Sequence, residues 1–322
     1  MRRSEKPALS KEGSQHLEEY THYLQQEQDM SQATRRNYLS DLHQFIAWCE
    51  TELLRKEVPK EGEEQMVLVS VSVSAGFNPR TITTPLLIRY RTYLQTDLGL
   101  KPNTVNRYLV SLKGYFDWLL LAGQIEHDPS RVVKLVHQET RVPRFLSDGE
   151  EEALVAAVNR GGSLRDRTII TLMLHTGLRA KETCQLKISE ISFGKRGSSL
   201  TVSGKGNKYR EIPLNQTVRP LLQEYVKSLP SEVVYVFASK KTKQGITERA
   251  LGQLVEKYAQ QADLREVSPH ALRHRFGYQM AKKVPLHRLA QIMGHESIDT
   301  TLIYTKGTKA DLQAEMEKIA WN

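Results

Sequence analysis

A chain of 322 residues has room for two domains, and a hydrophobic fraction of 39% beside 26% charged residues is ordinary for packed cores with polar surfaces. The net charge of +9 points to polyanionic partners, and the lack of any apolar run near the ~20 residues needed to span a bilayer excludes a transmembrane helix. Two cysteines, Cys49 and Cys184, show no paired spacing, which excludes a disulfide framework or a zinc cluster and fits a reducing cytoplasm.

The opening MRRSEKPALSKEGS is basic without an apolar core and reads as a solvated terminus, not a secretory signal. Leu17, Tyr20 and Leu24 then share one helical face. A second helix starts near Ser31 or Thr34 and aligns Leu42, Phe45, Ile46 and Cys49. Arg55 to Arg80 reads as an insertion between helices. Its KEVPKEGEEQ is polar and loop-like, whereas Val67, Val69, Val71 and Val73 alternate with serines as a strand does. Thr84 caps a third helix with Pro85 at its first position. A fourth opens at Asn103 or Thr104, carries the stripe Val105, Leu109, Leu112, Phe116 and Leu119, and stops at Gly123. The polar faces hold Arg35, Arg36, Arg89, Arg91, Arg107 and Lys113, which together form a phosphate-tracking surface.

Asp128 to Pro143 is linker-like, with Arg131, Lys134 and Arg141 followed by Arg144, and Ser147 with Glu150 forms a capping box that opens a second domain. That domain begins with the helices SLRDRTIITLMLHTG and RAKETCQLK. Leu200 and Val202, the turn Gly204-Lys205-Gly206-Asn207, then Tyr209 and Ile212 predict a hairpin that Pro213 ends. Val233 to Phe237 is apolar but too short to classify, and helices resume at ERALGQLVEKYAQQA. A tail capped at Thr308 or Asp311 aligns Leu312, Met316, Ile319 and Ala320. The expected fold is mainly α with a small antiparallel sheet. The expected domains are residues 1–136 with the 55–80 insertion, a linker at 137–146, and residues 147–322.

The chemistry concentrates between Ser268 and Lys306. Tyr304 is a nucleophile candidate, and a phenol with an ordinary pKa of about 10 needs a base or nearby cations to attack phosphorus. Arg179 and Arg273 offer guanidinium forks that match the non-bridging oxygens of a phosphodiester, with Glu182 placed to orient Arg179. Lys205, at the tip of a glycine-flanked turn, is a general-acid candidate for a departing 5′ oxygen. His270 donates to the phosphate or shuttles a proton, and His295 lies nine positions before Tyr304. His274 and Arg275 are read as supporting the helix or the DNA backbone. His270 and His274 have metal-pair spacing, but the pattern lacks a central glutamate and a cysteine cluster, so no metal is expected. The expected DNA contacts are Arg35, Arg36, Arg107, Lys113, Arg141, Arg144, Lys208 and Arg275.

TGLRAKE (Thr176 to Glu182), the Lys205 turn, HALRHRF (His270 to Phe276) and LAQIMGHESIDTTLIYT (Leu289 to Thr305) resemble the tyrosine recombinases, the phage integrase family, and its Xer-type and transposon-encoded members in layout. The resemblance covers most of residues 144–310 and, more weakly, the N-terminal helices, which look like the family's core-binding domain. It implies a site-specific DNA recombinase whose Arg179 and Arg273 hold the scissile phosphate, helped by His270 and His295. Lys205 would serve as general acid, and Tyr304 would form a 3′-phosphotyrosyl bond. It further implies a tetramer on two DNA sites, a Holliday junction, a two-domain clamp around the duplex, a tail docking on a neighbouring subunit, and no cofactor, neither ATP nor metal. Type IB topoisomerase-like relaxation and a catalytically inert DNA-binding protein are the alternatives. Arg275 stands where many relatives carry threonine, and an added contact to the DNA backbone is expected of it.

Overall fold

The computed structural model describes the chain except residues 1–6, 28–29, 54, 61–62, 71–75, 138–143, 195–196, 205–208, 296, 305–316 and 318–322, with backbone alone for the described part of 53–70. It divides into two compact units, Met1–Thr140 and Arg141–Asn322.

The first unit is helical: α1 (Lys11–Gln26), α2 (Gln32–Leu53), α3 (Thr84–Thr96) and α4 (Pro102–Leu121). The predicted apolar stripes meet in one core, where Tyr20, Leu24, Leu42, Phe45, Ile46, Cys49, Leu109, Leu112, Phe116 and Leu119 are all buried. Aromatic rings dominate it, with Tyr20 edge-on to Tyr115 at 5.2 Å and Phe45 to Tyr90 at 5.0 Å. Each large side chain taken out of water there contributes roughly 1.5–3 kcal/mol. Asp41, 1% exposed, accepts from Arg107 and from Ser111 Oγ (2.7 Å), tying α2 to α4. Gly123 stops α4 with φ +65°, and the amide of Gln124 returns to Leu119 O at 2.9 Å.

Three boundaries differ from expectation. Thr83, not Thr84, precedes α3, and the Thr84 hydroxyl donates instead to Pro129 O (2.8 Å). Helix α4 starts at Pro102, whose missing N–H costs nothing in a first turn. The stretch read as loop-like before the valine run is a strand: β1 (Arg55–Lys60) pairs antiparallel with β2 (Glu63–Ser70). The register slips between Val58 and Lys60, across Pro59, which has no N–H for the ladder. Val71 and Val73 lie outside the described residues.

The second unit opens with α5 (Asp148–Gly161), where Ser147 and Glu150 make the expected reciprocal cap, followed by α6 (Leu164–Thr176) and α7 (Ala180–Gln185). A three-stranded antiparallel sheet follows: β3 (Ile191–Phe193), β4 (Ser198–Ser203) and β5 (Tyr209–Pro213), in that order. Leu200 faces both Ile191 and Ile212 in register. Strand β3 and the helix α8 (Val218–Lys227) were not expected. Then come α9 (Glu248–Gln261), α10 (Pro269–Ala281), α11 (Leu286–Met293) and the short α12 (Asp299–Leu302). Val236 and Phe237, from the unclassified run, are buried in this unit's aliphatic core with Ile169, Leu172 and Leu272. Both cysteines are free and buried. Among the described residues no helix is long and apolar enough to cross a membrane.

Candidate active site

Helix α10 carries the centre of the site. Ser268 caps it and Pro269 fills its first position. One and a half turns in, Arg273 is 6% exposed. Its Nη1 donates to Gly177 O, and its Nη2 donates to Met293 O (2.8 Å) and His295 Nε2 (3.0 Å).

The end of α11 gathers two more arginines. Gly294, at φ +65°, turns the chain out of the helix. That leaves the last carbonyls without intrahelical partners and with the negative end of the helix dipole. Arg210 Nε donates to Ile292 O (3.0 Å), Arg273 to Met293 O, and Arg179 Nη2 to Gly294 O (2.6 Å). Three successive carbonyls thus hold three guanidiniums. Glu182 completes the set, accepting from the Arg179 amide (2.7 Å), Arg179 Nη1 (2.9 Å), and Arg210 Nη1 and Nη2 (2.9 and 2.8 Å). Burial pushes its carboxyl up, but the bonds from Arg210 and Arg179 outweigh that and hold it below the ordinary range. The expected Arg179–Glu182 pair is present. Arg210 was missed. Its signal was in the sequence: it shares the inner face of β5 with buried Ile212, an unusual place for a charge.

Tyr304, 7% exposed, packs its ring over α10. A Cβ at Gly277 would sit 2.5 Å from the ring's Cζ, so only glycine admits it there. The ring lies nearly parallel to that of His295, with centroids 6.2 Å apart and 13° between planes. Burial pushes the Tyr304 phenol up, and Arg273 and Arg179 pull it partly back. The His295 tautomer follows from its partners. Arginine can only donate, so Nε2 accepts and Nδ1–H donates to Thr301 Oγ1 (2.8 Å). Burial, then Arg273, Arg179 and Arg210, push His295 down to about 4, in keeping with that neutral ring. His274 was expected to support the helix or DNA backbone. Its Nδ1 instead meets the Tyr304 hydroxyl at 3.0 Å.

A cleft of about 750 Å³ opens on this group, lined by Arg179, Arg210, His295, Tyr209, Gln291 and Thr300 among others. The structure therefore brings Arg179, Glu182, Arg273, His295 and Tyr304 together from distant parts of the sequence. His270 is exposed in the first turn of α10. Lys205, Lys208, Arg141 and the tail face Leu312, Met316, Ile319 and Ala320 lie outside the described residues. Among the described residues no cluster of potential metal ligands occurs.

The expected DNA contacts divide by their partners. Arg36 is exposed and Lys113 half-buried. Arg35 donates to Met30 O and Glu27 O (both 3.1 Å), Arg107 is bound to Asp41, and Arg144 is tied to Glu150 (2.9 Å) and Arg265 O. Arg275 is corrected. It is 5% exposed and donates to Glu151, Asp148 and Leu146 O, so it joins α10 to α5 and has no surface to offer a phosphate.

Comparison with known proteins agrees with this geometry. Residues 144–311 match the model of the phage integrase family, and residues 17–124 match the phage integrase N-terminal SAM-like domain. A tyrosine recombinase of Thermosipho africanus is 27% identical, with 89% of this chain and 93% of the relative covered. Tyrosine recombinase XerD of Pseudomonas aeruginosa is 30% identical over 89% of this chain and 91% of the relative. Among solved structures, XerH site-specific recombinase in a post-cleavage complex with a palindromic difH substrate shares the fold. Its TM-score is 0.70 at 23% identity, covering 95% of this chain and 84% of that one.

Proposed function

The chain belongs to the phage integrase family, and from that premise we propose that it is a site-specific DNA recombinase acting through a covalent tyrosine adduct. The observation that supports this most is the unbroken contact path from Tyr304 through His295 to Arg273 within a cluster of three arginines. In the proposed reaction the Tyr304 oxygen attacks a phosphodiester, the bond from phosphorus to the 5′ oxygen breaks, and a 3′-phosphotyrosyl ester forms. Arg179 and Arg273 hold the non-bridging oxygens as charge builds on them. His270 hydrogen-bonds the phosphate or shuttles a proton, His295, its Nδ1–H already given to Thr301, bears on the phosphate through Arg273, and Lys205 gives the leaving 5′ oxygen its proton. The ester keeps the energy of the original bond, so rejoining needs no nucleotide and no metal.

The same reading assigns residues 1–136 to gripping the DNA core site, with Arg36 and Lys113 facing phosphates, and residues 147–322 to catalysis. It places four copies on two duplexes, with a Holliday junction between two rounds of exchange and the tail beyond Tyr304 docked on a neighbouring copy. The free thiols suit a reducing cytoplasm. The test is a suicide substrate that traps the adduct. Wild-type protein should give a covalent protein–DNA band that vanishes in Tyr304→Phe. An adduct that persists in that variant would remove Tyr304 from the mechanism. Supercoil relaxation of a plasmid lacking paired sites would replace recombination by a topoisomerase-like activity.

A further inference from the structure

Resting on Tyr304 as nucleophile, we propose that His274 is the catalytic group that positions the phenol and accepts its proton as the phenolic oxygen attacks phosphorus. His274 Nδ1 lies 3.0 Å from the Tyr304 hydroxyl, within the reach required of a general base. The two rings are tilted at 53° with centroids 5.7 Å apart, so the contact runs edgewise through the polar atoms rather than face to face. His295, the other imidazole beside the tyrosine, is not placed for this task. Its Nε2 lone pair is taken by Arg273, and its Nδ1–H is directed at Thr301. Nothing in the histidine-to-arginine spacing that marks His270 and Arg273 requires a base at the following position, so this role comes from the fold alone.

Burial first, then His270 and Arg273, hold His274 below the ordinary histidine range, so the ring is neutral near pH 7 and keeps a lone pair. With Nε2 protonated, Nδ1 accepts from the phenol. As the tyrosine oxygen bonds to phosphorus, its proton moves to Nδ1 and the imidazolium carries the charge. The P–O5′ bond breaks, and the 5′ oxygen takes a different proton, the one assigned to Lys205. In rejoining the steps reverse, and His274 returns its proton to the departing tyrosine. The fixed partner also fixes direction. Gly277 bears the ring from below and His274 holds the hydroxyl, so the phenol meets DNA in one pose.

The test is single-turnover cleavage of a suicide substrate by His274→Asn, measured across pH 5 to 9 with DNA affinity and thermal midpoint alongside. The asparagine side-chain oxygen occupies nearly the same place as Nδ1 and accepts the hydrogen bond, but it does not take the proton. Cleavage should fall about 10²-fold with unchanged DNA binding and melting, and the wild-type decline at acid pH should disappear. Replacing Tyr304 by a fluorinated tyrosine, whose phenol is more acidic, should recover much of the rate in the variant and little in wild type. A variant that cleaves at the wild-type rate, or one that slows but keeps the acid decline and gains nothing from fluorination, overturns the proposal. If Tyr304→Phe is inactive in the same assay, that failure touches His274 alone and leaves the nucleophile in place.

Discussion

Two arginines of one helix, Arg273 and Arg275, are both about 5% exposed, yet they do opposite things to the charge around them. Two residues apart on an α-helix, they point about 200° from one another. Arg275 faces α5 and donates to two carboxylates, Asp148 and Glu151. Its hydrogen bonds to them outweigh the cost of its burial, and its proton is held more tightly than usual. Arg273 points the other way, into the arginine cluster, and its acceptors are two carbonyls and a neutral imidazole. Burial, then neighbouring Arg179, push its guanidinium down to about 10. Carbonyls and helix ends orient a guanidinium without cancelling it. One side of α10 thus spends its cation on the fold, and the other keeps a positive field pointed where an anion would sit.

The strongest test of that contrast is Arg273→Met beside Arg275→Met. Loss of Arg273 should slow suicide-substrate cleavage by about 10²- to 10³-fold, the usual cost of one oriented donor to a developing oxyanion. Melting should be little changed, because the side chain removed was a poorly compensated charge. Arg273→Lys should recover only part of the rate, since an ammonium has no fork. A cleavage rate near wild type in Arg273→Met would erase the distinction between the two sides.

Arg275→Met should do the reverse. The variant strips two ion pairs, but Asp148 is 81% exposed and hydrates readily once released, which discounts the loss. A cost on the order of 1–2 kcal/mol, or roughly 2–6 °C of melting temperature, is expected. Single-turnover cleavage per folded molecule, measured well below the melting temperature, should stay within about twofold of wild type. A large fall in cleavage without loss of stability would mean that Arg275 reaches the DNA by some route its burial hides.

Most of the framework was readable along the chain because it depends on short-range rules. The stripes of α2 and α4 repeat every three or four residues, and each of their named positions is buried. Ser147 and Glu150 form their cap from three residues' separation. Leu200 and Ile212 find each other across one turn. The composition of the cleft was less readable, because its partners are far apart. Arg179 meets Gly294 O across 115 residues, and Arg210 meets Ile292 O across 82. Gly294 could be read as a helix stop, but which guanidiniums fill the carbonyls it exposes is decided by packing. His274 was visible as a histidine and misjudged in its partner, since nothing local joins α10 to Tyr304. Strand β1 was hidden by Pro59 and its charged neighbours, which suit an edge as well as a loop.

The effect spread most thinly, over a range of pH, concerns His295, whose neutrality belongs to the Arg273 side of α10. In the unfolded chain this ring takes a proton near the ordinary histidine value of about 6.5, whereas in the fold it does so only near 4. Between those values the unfolded state binds the proton and the native state does not, so stability rises with pH through that window and falls on acidification. One such group contributes a slope of at most ~1.4 kcal/mol per pH unit, and nothing above the window. His175, also held low by burial, adds a slope of the same sign, so the informative quantity is the difference between wild type and His295→Asn. Chemical denaturation at half-unit steps from pH 4.5 to 7.5 should give curves that converge toward pH 5 and separate toward neutrality, with the variant flatter. Parallel curves would mean that His295 titrates normally in the fold. The cluster of Arg179, Arg210 and Arg273, which shares the single carboxylate of Glu182, would then exert far less field on its surroundings than that shortfall of negative charge implies.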